Sequence, residues 1–190
     1  MQINRKLCLV FEAEGADGAV VHVHSAPIAR TVFEQYYREL GQVFTTCFAG
    51  DDPRHIAITA PQLALPALKA ASGERWDAPK GVRAGLINEI VRNTMVAFVG
   101  EQGWDTLPLA TAITRGIIDD DGEAEILGNL TFFTAVSKVG PRPLVSTFLE
   151  MAGSLRGWTL TSSDSTAWSN SLPTLTAPET STATTSQVIA

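Results

Sequence analysis

Apolar and polar positions change period several times along this chain, and each change predicts an element. Residues 5–11, RKLCLVF, and 19–24, AVVHVH, alternate with the period of two expected of a strand with one buried face. EAEGADG lies between them, and its two glycines suit a tight reversal. The pair reads as a β-hairpin in which Leu7, Leu9 and Phe11 share a core face with Val21 and Val23. His22 and His24 then point the other way, beside Lys6 and Val10. From Ser25 the spacing lengthens to three and four. Ile28, Val32, Phe33, Tyr36, Leu40, Val43, Phe44 and Cys47 form one stripe that runs up to Gly50. With Ser25 as cap and Pro27 in the first turn, this predicts one long helix.

Helical spacing recurs downstream. APQLALPALKAASG predicts a short helix disturbed by Pro66. PKGVRAGLINEIVRNTMVAFVG places Val82, Leu86, Ile90, Val91, Thr94, Met95 and Phe98 on one helical face. Trp104 falls in a loop, followed by a short helix around Leu109 to Ile113. The acids of DDDGEAE favour a helix start through the dipole, and Ile126, Leu130, Phe133 and Val136 form its stripe. A last helix enters through Pro143 and leaves near Gly157. The expected fold is mainly α: five or six helices with an N-terminal β-hairpin, in one domain over residues 1–160. From Thr159 the pattern collapses. Trp168 and Leu172 are the last bulky anchors, and 161–190 reads as an extended, disordered, Ser/Thr-rich tail of low complexity.

Composition narrows the function classes. The chain has 190 residues and is 45% hydrophobic, enough for a real core. Its net charge of −6 and scattered basic residues argue against nucleic acid as a partner. No run approaches a membrane span, and LCLVF is too short for a signal-peptide core, so a cytoplasmic setting is expected. Cys8 and Cys47 occupy apolar segments and read as buried thiols.

Reactive constellations are weak. His22 and His24 share a strand face, as metal ligands would, but a third ligand would have to come from afar, so the polar outer face of a hairpin is the better account. DDDGEAE lacks the alternate-ligand spacing of a calcium loop. No G-x-S-x-G, P-loop or G-x-G-x-x-G occurs. The expectation is a protein that is not an enzyme and needs no cofactor or metal. A hydrolase or metal enzyme built on His22 and His24 stands as a distant rival.

Several phrases, taken together, resemble a known family. MQINRKL, VHSAPIARTVFEQYY, GVRAGLINEIVRNTMV, GWDTLPLATAITRGIIDDD, FFTAVSK, SLRGW and SSDSTAWSNSLPT, with the Ser/Thr-rich end, look like a tail assembly chaperone of long-tailed, siphovirus-like bacteriophages. The resemblance implies a protein that binds the tape-measure protein, keeps it soluble and helps recruit tail-tube protein. It also implies a place in the host bacterial cytoplasm and absence from the mature virion, and in this family a programmed frameshift often extends the product. No membrane partner is expected; self-association stays open. A helical client would meet apolar helical surface. The candidate partner-binding residues are Phe33, Tyr36, Tyr37, Leu40 and Phe44, then Phe132 and Phe133, with Trp168 at the tail boundary. A stripe at helical spacing is more often core, so only part of either stripe could stay open. A structural virion protein (a minor tail, head-completion or decoration subunit) is the alternative.

Overall fold

The computed structural model describes residues 7–49, 52–100, 103–140 and 142–172. The N-terminal hairpin is present: β1 (Cys8–Glu14) pairs antiparallel with β2 (Val20–Ser25), with Phe11 opposite Val23. Gly18 takes the positive φ of 78° that the reversal requires, and Gly15 N–H donates to Ala19 O. Leu9, Phe11, Val21 and Val23 face the core, as the alternation predicts.

The expectation of a mainly α fold is overturned. β2 does not stop as the edge of a hairpin; it pairs with β3 (Thr94–Gly100), which pairs with β4 (Gly103–Pro108). β5 (Thr159–Thr161) adds on the other side, giving a five-stranded antiparallel sheet in the order β4-β3-β2-β1-β5. Helices still account for most residues, but the architecture is mixed α/β, a helical layer against one sheet. The physical reason lies in the isolated hairpin itself. Two strands alone are marginal, and TMVAFV offers the β-branched and aromatic side chains that a third strand needs.

Helix boundaries shift for similarly local reasons. Ser25 ends β2, where its Oγ accepts from Thr94 Oγ1, so it caps nothing. The long first helix is two pieces, α1 (Arg30–Gln35) and α2 (Tyr37–Cys47), broken at Tyr36 with φ −114° and ψ 19°. α3 (Pro53–Ser72) is longer than the sequence suggests and runs through both Pro61 and Pro66. Asp52 caps its start by accepting from Arg54 N–H. A 3₁₀ turn (Gly73–Arg75) follows, and a π-helical turn (Arg83–Ile87) leads into α4 (Asn88–Arg92). α5 (Leu109–Thr114) lies where the short helix is expected.

α6 (Asp120–Val139) is the central helix. Every position from Ile126 to Val136 is buried, including Asn129, Thr131 and Thr134, which is what a helix covered on all sides must show. Gly128 lets it approach α3, since a Cβ there would stand 2.6 Å from the Pro61 carbonyl oxygen. Asp119 caps its start through Gly122 N–H. α7 (Arg142–Arg156) packs outside α3, and Arg156 ties three helices together. Its guanidinium donates to Ile58 O at 2.9 Å and to Asn129 Oδ1 at 3.2 Å. Trp158 joins the layers, its ring centroid 6.2 Å from Phe11 on the sheet and 6.0 Å from Phe132 on α6.

Beyond Trp158, Thr161 completes β5 and Ser165–Ser169 forms a one-turn α8, capped by Asp164. The rest of the expected tail, 173–190, lies outside the described residues.

Candidate functional site

Most of the residues singled out as partner-binding hold the core together. Tyr36 is 1% exposed and Leu40 is fully buried; Phe33 and Phe44 are half-buried against the core cluster. Phe132 and Phe133 are buried on α6. Phe44, Phe48 and Phe148 form an aromatic cluster, with Phe48 4.4 Å from each of the other two centroids. Tyr36 also carries a buried hydrogen bond, its hydroxyl donating to Gly81 O at 3.1 Å. Tyr37 differs. At 59% exposure it stands off α2 with Phe33 edge-on at 5.7 Å.

Tyr37 borders an open groove between α2 and α3 with a volume of about 740 Å³. Its walls are small residues, Gly41, Thr45 and Thr46 from α2 and Ala67, Ala70 and Ala71 from α3, with Arg38 and Gln42 at the rim. Gly41 has no steric reason inside this fold to be glycine, because a Cβ there would meet nothing within 4 Å. The apolar stripe does not mark this face, because most of its large residues turn inward. The available signal was the mid-helix Gly41 and the small residues on α3.

Trp168 sits elsewhere, on the outer face of the sheet. Its ring stacks on His24 at 4.9 Å with 27° between planes, and both are buried. His24 Nε2 donates to Ser163 O at 3.1 Å, which leaves Nδ1 to accept from Ser165 Oγ at 3.3 Å. Burial lowers the pKa of His24 from its ordinary 6.5, against smaller opposing effects of the Ser163 carbonyl and Asp164. The two histidines do share this face, yet their settings differ. His22 is half-buried, edge-on to Trp104 at 4.9 Å and 3.8 Å from Glu12 Oε1.

The thiols are both buried. Cys47 lies in the core near Ala60 O, and desolvation pushes its pKa up to about 11. Cys8 lies on the outer face, its pKa raised by burial and by Asp164. Two buried carboxylates have basic partners, Glu39 with Arg75 and Glu89 with Arg92, and Glu89 also accepts from the Asn93 side-chain amide. Among the described residues no three His, Cys, Asp or Glu side chains gather as a metal site, and no helix is long and apolar enough to cross a membrane. Compared with family models, curated proteins and solved structures, the chain matches none.

Proposed function

We propose that this protein is a phage tail assembly chaperone whose α2–α3 groove receives a helix of the tape-measure protein. The resemblance of VHSAPIARTVFEQYY, GVRAGLINEIVRNTMV and SSDSTAWSNSLPT to that family suggests the role. The groove is the observation that supports it. Its walls are small enough for a helix backbone to come close, and Tyr37 supplies an aromatic anchor at one end. Arg38 at the rim suits a client helix that carries acidic residues beside its apolar stripe. Recruitment of tail-tube protein belongs to the same proposal.

Co-expression with the tape-measure protein of the same phage tests it. The client is expected to move from pellet to supernatant and to co-purify with this chain. Unchanged client solubility, or failure to co-purify, removes the chaperone function. Finding the chain in purified particles would favour a structural virion protein instead.

A further inference from the structure

Among the described residues, the outer face of the sheet is covered at one end only. There the C-terminal segment places Trp168 over His24, and Cys8 is buried on the same face. Toward the β1–β2 turn the face lies open. Glu14 pairs with Val20 across β1 and β2, and Val99 pairs with Trp104 across β3 and β4. Val20 is 52% and Val99 54% exposed, and the half-buried Trp104 holds His22 against its ring. Apolar side chains raised on consecutive strands around an aromatic are what binding energy concentrates on.

Charge on the sheet is one-sided. Among the described residues, β1 to β4 and the turn joining β1 to β2 carry Glu12, Glu14, Asp17 and Asp105 and no Lys or Arg. Glu12 and Glu14 flank the open rows directly, and both are exposed. A second copy of this chain would bring acid to acid, and nucleic acid or an anionic lipid surface would be repelled in the same way. We infer that the open rows dock a segment of another protein in which an apolar or aromatic anchor is flanked by Lys or Arg. The anchor covers Val20, Val99 and Trp104, and the cations meet Glu12 and Glu14. The site lies on the sheet, apart from the α2–α3 groove, and does not depend on the chaperone role.

Isotope-labelled full-length chain titrated with the peptide KLKFKLK, and with ELEFELE as its charge-reversed control, tests the inference by NMR. The basic peptide is expected to shift the amides of Val20, His22 and Val99 and the Trp104 indole, and the acidic one to leave them in place. Glu12→Gln with Glu14→Gln is expected to weaken binding about fivefold, as loss of two exposed charge pairs would. Val20→Ser with Val99→Ser is expected to weaken it about tenfold through lost apolar contact. All four positions are exposed, so thermal unfolding checks that each variant keeps its fold. Binding that survives the two serine changes is diffuse charge attraction and overturns the site, as do shifts confined to other surfaces. A chain ended at Leu172 provides the remaining arm. If removing 173–190 moves these same signals without peptide, the protein's own C-terminus is the occupant and the inference fails.

Discussion

Gly41 and Gly85 are both glycines in helical turns, and they answer opposite demands. At Gly85 a Cβ would collide with the Tyr36 hydroxyl, which is buried and engaged with Gly81 O. At Gly41 a Cβ would meet nothing. Gly85→Ala is therefore expected to cost about 3 kcal/mol by overpacking a site that cannot expand. Gly41→Ala is expected to gain about 0.5–1 kcal/mol, because it removes the entropic cost of a glycine within a helix. Guanidinium unfolding of the two variants checks this, with the m value showing that both remain two-state. Equal signs would mean that the Tyr36 contact is looser than its burial indicates. In the amino-acid string both residues simply interrupt helical stretches; Gly41 hinted at an open face only by sitting in mid-helix, and the role of Gly85 was not visible at all. A glycine's purpose is set by what stands over its missing side chain, and Tyr36 reaches Gly85 from 49 positions away in sequence.

At the scale of elements, local pattern located the pieces better than it identified them. The hairpin, α6 with its acidic start, α7 and the short α5 are all legible from period and caps. β3 was not. Val82, Leu86, Ile90 and Thr94 repeat every four residues, so the pattern carries one helix on to Phe98. The chain leaves the helix after Arg92, where Asn93 O accepts from Ala26 N–H, and the unpaired edge of β2 claims the next residues. A demand for backbone partners thus overrides an apolar run that suits either state. α8 escaped notice for a related reason. A Ser/Thr-rich segment looks unable to order itself, but a capped single turn suffices when one large ring, Trp168, is buried with it. That contact has a pH signature. His24 has a folded pKa below its unfolded value, so the folded state excludes a proton that the unfolded chain accepts. Its stabilising contribution is complete above 6.5 and is lost as pH falls from 6.5 through the lower folded value. Thiol labelling followed from pH 7.5 downward should show Cys8 becoming more accessible, relative to Cys47, as His24 takes up its proton. At neutral pH, Trp168→Ala should speed Cys8 labelling by about tenfold or more while Cys47 stays inert in the core. Parallel acceleration of both thiols would show that Trp168 supports the whole fold and not the C-terminal segment alone.

For the whole molecule, the division between a packed interior and two open surfaces makes function separable from stability. The aromatic residues of the sequence stripes, Tyr36, Phe44, Phe132 and Phe133, pack in or against the core, so changing them is expected to damage the fold itself. They cannot say where a client binds. Gly41 can. Its position lines the α2–α3 groove and a Cβ there would meet nothing within 4 Å, so Gly41→Phe is expected to send its ring into the groove. The variant is expected to unfold within about 1 kcal/mol of the parent, since the gain from replacing glycine offsets an exposed ring. In co-expression it should leave the tape-measure protein in the pellet. Tyr37→Ala should give a weaker form of the same defect, because an exposed anchor is lost but the groove stays open. The paired change Glu12→Gln and Glu14→Gln, on the sheet, should leave client solubility as it was. If Gly41→Phe keeps the client soluble while the parent chain does so equally well, the client sits elsewhere and the groove assignment is wrong, although the chaperone role stands. If the sheet variant fails and the groove variant succeeds, the client lies across Val20, Val99 and Trp104, and the two surfaces exchange their assignments.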